Sequence, residues 1–453
     1  MSSRTLPIAA AVGVSLAALA GVAWVATRPA QPAAFAEDEM KPIPIRPDSE
    51  LPYNPYQFRL TNPESIAIYE GRAKNDPQDH ITRTTLAALY VQQARDSGDH
   101  TFYDKAEASL RDALKLLPSY DSARVGLAVV TNTRHKFDEG LKLAKAVYTE
   151  SPEGGEANEA LSVMADAYVE LGNYAEAETT LRDLEKKIGE PTAPPAIQAR
   201  YARLAELRGE PEKAIALLKQ AAKTEAEALA PAPSLGWYAS RVGEVLLSQG
   251  KLDEAAAELD EAIRLNPVSP DIKIILAKVR MAQGRGADAV AIMEKVLAVD
   301  KAIDTWLPFG DALTLAGDPK RAAAQYALAE AADNNPIATR ILILHYCDRG
   351  TKLDRALVLA KKDAAYRKDV FTCDSLAWAL YHNGKLAEAE AASVEALRLG
   401  TKDATLLFHA GMIAHKAGKP AGKELLRKAL AVNPHFSAKQ AAEAKAILGE
   451  AKS

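Results

Sequence analysis

The residues of this chain whose types and spacing could do chemistry gather in two places. Towards the carboxy terminus stand His345, Phe371, Trp378, Tyr381, His382, Phe408, His409, Met412 and His415. Aromatic and thioether side chains grouped on one face are what a partner's apolar side chains dock against. His382 and His415 fall near equivalent heights on adjacent helices, whose axes would lie about 8–10 Å apart. Two imidazoles could share a transition metal, but no carboxylate or thiolate accompanies them as a third ligand. The second group is central: Arg200, Arg203, Arg241 and Lys278, interleaved with Glu206 and Glu244. That pattern fits helices laced by salt bridges, or a site for an acidic peptide segment or terminal carboxylate.

Catalytic patterns are missing from the sequence. There is no G-x-S-x-G, H-E-x-x-H, C-x-x-C or G-x-G-x-x-G. Ala417 to Lys423 imitates a phosphate-binding loop, but Glu424 stands where Ser or Thr must hold magnesium, and no strand precedes it. The segment reads as a helix-hairpin turn. Cys347 and Cys373 are the only cysteines. On neighbouring parallel helices they would be offset by roughly 10 Å along the axis, beyond the ~7 Å that a disulfide spans, so two buried thiols are expected. No enzyme activity, cofactor or resident metal is implied.

Helices must position these groups. Hydrophobic residues make up 48% and charged ones 26%, enough for a packed core, and alanine recurs at helical spacing. A net charge of −4 on a chain whose first 36 residues are basic leaves a mildly acidic body. That argues against a nucleic-acid partner, which would need a basic stripe.

Leu6 to Ala26 is an uncharged run of 21 residues flanked by Arg4 and Arg28. It is long enough to cross a bilayer. Small residues suited to signal peptidase occur at Ala18 to Ala20 and at Ala34 to Ala36, so a cleaved signal and a retained anchor both fit. Pro29, Pro32, Pro42, Pro44, Pro47, Pro52 and Pro55 follow, a density that gives an extended spacer. Expected domains are therefore a signal peptide or transmembrane anchor at 1–26, a proline-rich linker at 27–61, a helical body at 62–435, and a capping helix with tail at 436–453. The body should be exported, either periplasmic or held at the inner membrane by its N-terminal segment.

Within the body a small residue recurs after each turn, at Ala106, Gly140, Ala177, Ala214, Ala255, Ala289, Ala322, Ala356, Ala389 and Gly422. The steps are 34, 37, 37, 41, 34, 33, 34, 33 and 33 residues. A second column lies in the preceding helix: Ala165, Ala202, Gly243, Ala277, Gly310, Ala377 and Gly411, with Leu344 the large exception. Small residues on both helices let two backbones approach in an antiparallel hairpin. The longer third to fifth repeats place their extra residues near Pro191–Pro195 and Ala230–Pro233, and an inserted loop is expected around Gly98–Tyr103. Asp363 occupies a position that is elsewhere small and apolar.

A period near 34 with paired helices resembles the tetratricopeptide repeat. The stretch Leu161 to Ala177, LSVMADAYVELGNYAEA, matches best, and Phe137, Tyr174, Gly172, Gly250, Gly317 and Gly384 match the family's turn region. Pro118, Pro152, Pro267 and Pro434 match its closing proline. The resemblance covers roughly residues 80 to 435. It implies an all-α fold, an α-solenoid of about ten hairpins in a right-handed superhelix, whose first helices line a concave groove. It also implies a scaffold that binds a protein or peptide partner, here an envelope protein. The Lys and Asn pattern by which some members clamp a carboxylate is not reproduced. Two other functions stay open: a metal- or small-ligand-binding envelope protein using the carboxy-terminal patch, and a membrane adaptor with a cytoplasmic body.

Overall fold

The computed structural model describes residues 62–97, 99, 101–190, 192–300, 302–332 and 339–450. The expected signal or anchor and the linker lie outside the described residues. Among the described residues every regular element is an α-helix, 22 in all, and none is long and apolar enough to cross a membrane.

The chain divides at Pro118 into two compact units. The first holds α1 (Asn62–Asn75), α2 (His80–Ser97) and α3 (Thr101–Leu116). Tyr103, Ala106, Leu110 and Ala113 form the buried stripe of α3. Leu86, Ala87, Tyr90, Val91 and Ala94 are buried on α2. The loop expected at 98–103 is shorter than its sequence suggested, because Thr101 to Tyr103 already belong to α3.

The second unit is a stack of hairpins. They are α4 (Asp121–Thr133) with α5 (Phe137–Glu150), α6 (Ala157–Glu170) with α7 (Tyr174–Ile188), and α8 (Pro195–Leu207) with α9 (Pro211–Glu227). Next come α10 (Ala232–Ser248) with α11 (Leu252–Leu265), α12 (Pro270–Ala282) with α13 (Gly286–Leu297), and α14 (Ile303–Leu315) with α15 (Pro319–Ala331). The last are α16 (Thr339–Arg349) with α17 (Leu353–Tyr366), α18 (Val370–His382) with α19 (Leu386–Ala396), and α20 (Ala404–Lys416) with α21 (Ala421–Val432), followed by α22 (Ala438–Leu448). The protein is an all-α helical-repeat solenoid.

The small-residue columns are where paired helices touch. Ala177, Ala255, Ala289, Ala356 and Ala389 have no exposed surface. A Cβ added to Gly243 would fall 2.7 Å from Leu259 Cγ, so any larger residue there forces the helices apart. Extra length in the repeat around α9 and α10 goes into the helices themselves, each 17 residues long, as well as into the connection between them. Hairpin 417–420 is the turn between α20 and α21, as its sequence implied.

The second unit also meets itself. A helix leaves its last four carbonyls without intrahelical partners, and here donors from far along the chain supply them. Lys368 N–H donates to the Glu170 carbonyl (3.0 Å), Thr401 Oγ1 to the Leu207 carbonyl (2.5 Å), and Asn433 Nδ2 to the Leu247 carbonyl (2.9 Å). Gln249 Nε2 returns a bond to the Lys402 carbonyl (3.1 Å). The turns after α6, α8 and α10 therefore sit against the connections before α18, α20 and α22. Gly172 and Gly209 are doubly constrained at this contact. Both have positive φ, 75° and 70°. A Cβ on Gly172 would lie 2.5 Å from the Lys368 carbonyl oxygen, and one on Gly209 would strike that of Gly400.

Candidate functional site

One register recurs along the first helices of the second unit. The residue just after each position of the second column is, in chain order, Asp166, Arg203, Glu244, Lys278, Asp311, His345, Trp378 and Met412. Charges of alternating sign give way to imidazole, indole and thioether.

The central charges are spent on one another. Arg200 Nε and Nη2 donate to the two Asp166 oxygens, each at 2.8 Å, and both side chains are buried. Arg203 pairs with Glu206 at 2.9 Å. Arg241 lies between Glu206 (3.2 Å) and Glu244. Burial works against the ionised Glu206 carboxyl, but Arg203 and Arg241 outweigh it and hold the group below the usual range. Burial dominates at Asp166, which is raised although Arg200 pulls the other way.

A second charged layer joins this one where the chain meets itself. Arg367 faces Glu170 (Nε to Oε2, 3.6 Å) and touches a ring nitrogen of His135. The Arg367 guanidinium also lies 5.3 Å from the Phe137 ring centroid. Arg340 Nη2 donates to both Asp369 oxygens (3.1 and 3.0 Å). Asp369 in turn caps α18 by accepting from Phe371 N (3.0 Å) and Thr372 N (3.2 Å). Val370 N–H donates to the Tyr174 hydroxyl at 3.0 Å. The Phe371 ring sits between Arg203 and Arg340, at 5.2 and 5.7 Å. Asp363, at a position that is small elsewhere, is buried within reach of Arg367 and Arg340, and burial raises its carboxyl despite them.

Lys278 differs from the arginines. It is exposed on α12, is in no ion pair among the described residues, and feels the charges of Asp304, Asp311 and Asp271. The surrounding protein pushes its ammonium below the ordinary lysine range. Asp311, also exposed, accepts from the Tyr326 hydroxyl at 2.8 Å, and burial by surrounding protein raises its carboxyl. His345 meets Glu330 at 3.3 Å.

The carboxy-terminal patch is a stacked assembly. The centroid of the Trp378 ring lies 4.1 Å from that of His409 and 5.0 Å from that of Tyr381, and both rings are nearly parallel to it. The His382 ring stands nearly perpendicular to it at 4.5 Å. Trp378 Nε1 and Gln440 Nε2 both donate to Asp348 Oδ1 (2.8 and 2.9 Å), which fixes α22 against α16. His409 Nδ1 donates to Asp374 Oδ2 (2.9 Å). Burial alone would lower the His409 imidazole, but Asp374 outweighs it and holds the group above the usual range. Burial lowers His382.

The sequence-predicted residues thus separate by exposure. Arg200, Arg203, Arg241, Trp378, Phe408, His409 and Met412 are buried; His345, Phe371, Tyr381 and His382 are half-buried; Lys278 and His415 are exposed. Both cysteines are free. Cys347 is buried and its thiol pushed up to about 12 by that burial. Cys373 is only half-buried, unlike the expectation, because it lies at the self-contact beside Arg398. Among the described residues no group of three or more His, Cys, Asp or Glu could hold a metal. Glu170, Arg340, Arg367 and Asp369 were not singled out by sequence reasoning. The available signal was the scarcity of proline in the connections at 367–369 and 398–403, against Pro152, Pro191, Pro194, Pro231, Pro267 and Pro270 earlier.

The family profile for the tetratricopeptide repeat matches residues 133–193 and 246–304, which take in α5 to α7 and α11 to α13. No curated protein matches the chain. Among solved structures, the yeast Tom70 crystal structure is similar at 15% identity over 86% of this chain and 85% of that one, with a TM-score of 0.37. A tetratricopeptide repeat protein from Parabacteroides merdae is similar at 17% identity over 54% of this chain and 92% of that one, with a TM-score of 0.38. Stacked repeats of this kind present extended surfaces for protein partners.

Proposed function

From a solenoid of tetratricopeptide type, we propose a non-enzymatic interaction scaffold of the cell envelope. Its body is exported and held near the membrane by the segment before residue 62, and a protein or peptide partner binds along the inner side of the first helices. One observation carries the choice of place. Lys278 is an exposed cation with no ion pair among the described residues, in the register where Arg203 is buried and paired. Asp311 and half-buried His345 continue that register beside it. An exposed cation in this register is available to a partner's carboxylate. Half-buried Tyr381 and His382 extend the surface towards the aromatic stack.

Capture from envelope extract by the full-length protein, wild type against Lys278→Glu/Asp311→Lys, tests the proposal. Both positions are exposed, so helical circular dichroism should be unchanged. A partner held by wild type and lost from the charge reversal supports the inner face. One held equally by both places binding elsewhere, and no capture withdraws the scaffold reading. A reporter enzyme active only outside the cytoplasm, fused at Ser453, reads the location.

A further inference from the structure

An open solenoid gains stability only from neighbouring hairpins. Here the turns after α6, α8 and α10 carry an additional contact with connections about two hundred residues on in the sequence. The composition of that contact sets its strength. Its apolar part brings Val370, Leu406, Phe371, Leu397 and Leu399 to Tyr174, Leu204 and Leu207. The rest is ionic, and buried ion pairs add little net stability after desolvation. Arg203, Arg340 and Arg367 each leave a buried Nε–H without a hydrogen-bond acceptor, a defect that native interiors keep to a few sites. Each hairpin, by contrast, is sealed by a continuous small-residue seam. The weaker joint opens first.

We propose that the segment from Arg367 to Phe371, with Thr401 and Asn433, is a latch that opens while the hairpins stay folded, and that it shuts Arg203 away from solvent. Closed, Phe371 covers the Arg203 guanidinium, Arg367 sits against Glu170, His135 and Phe137, and the three carbonyls of Glu170, Leu207 and Leu247 are capped. Open, Arg203 keeps Glu206 but loses its cover, the Glu170 and Leu207 carbonyls exchange their protein donors for water, and the Leu247 carbonyl keeps only the Gly250 amide. The closing experiment needs no partner, so it stands or falls apart from the scaffold reading.

The full-length chain is compared with Thr401→Val/Asn433→Ala, which removes two caps, and with Gly172→Ala, which wedges a methyl group against the Lys368 carbonyl. Hydrogen exchange at the Lys368 and Val370 amides reads the latch, circular dichroism the hairpins, and phenylglyoxal labelling the reach to Arg203, with exposed Arg264 as the internal standard. The expected result is at least about tenfold faster exchange at both amides, equivalent to about 1.4 kcal/mol, with unchanged helicity and new labelling at Arg203. Unchanged exchange in both variants would overturn the proposal, since the joint is then rigid. Faster exchange accompanied by lost helicity would overturn it too, because the contact is then part of the folding core.

Discussion

Arg200 and Trp378 stand on first helices of the same stack, and both are almost completely buried, at 6% and 4% exposure. Their surroundings are opposite. Arg200 is balanced by a single carboxylate that grips it with two hydrogen bonds. Trp378 stacks with two nearly parallel rings and has one polar handle on Asp348. The same repeat geometry thus builds a polar interior in one stretch and an aromatic one in another. Burial of a charge succeeds only in pairs, so its energetics are conditional on a partner. Burial of an indole is favourable on its own account, through area and stacking.

The largest expected effect is at the aromatic end. Trp378→Ala removes a buried ring stacked with two others and strands the Asp348 contact, and it should cost about 3–5 kcal/mol, read by urea denaturation. No second substitution nearby should restore it. At the polar end, Arg200→Met leaves Asp166 buried without its cation and should cost about 3 kcal/mol. Adding Asp166→Leu should bring stability back to within about 1 kcal/mol of wild type. Failure of that rescue would erase the distinction between the two stretches.

A smaller effect depends on pH. Asp374 raises the His409 imidazole above its ordinary value of 6.5 in the folded chain. A histidine raised on folding contributes stability that is fully present below the unfolded pKa and lost as pH rises through the folded one. Wild type should therefore exceed Asp374→Asn by more at about pH 6 than at about pH 9. The denaturation midpoints of the two proteins across that range give the comparison, and a constant gap would mean that His409 is neutral throughout.

How much of this was legible in the sequence depends on the range of the interaction concerned. The seam residues Ala177, Ala255 and Ala289 announce themselves by period, because the contact they serve recurs in every hairpin. The charges of Arg200, Arg203 and Arg241 were equally visible, and so was their interleaving with Glu206 and Glu244. Their burial was not, since it follows partly from the meeting of Glu170 with Arg367 and of Arg203 with Phe371. Those pairs are far apart in sequence and occur once, so no periodicity encodes them. Phe408 shows the same limit locally. Its spacing places it among patch residues, but only packing against Phe436 and Trp378 shows that it is fully enclosed.

The smallest expected effect on stability tests the boundary between the two stretches. Lys278 occupies the register of Arg203 and Trp378, yet it is exposed and is in no ion pair among the described residues. With no bond to break and no cavity to leave, Lys278→Gln should change stability by no more than about 0.5 kcal/mol. Its effect on partner capture should be much larger if the ammonium meets a partner's carboxylate. Lys278→Arg should then retain capture, since the charge is kept, while Lys278→Gln loses it at unchanged melting temperature. Equal capture by all three proteins would remove Lys278 from the interface and move the contact towards Tyr381 and His382. A residue that matters to binding and not to folding is what separates an interaction surface from the paired arginines, whose charges the fold itself consumes.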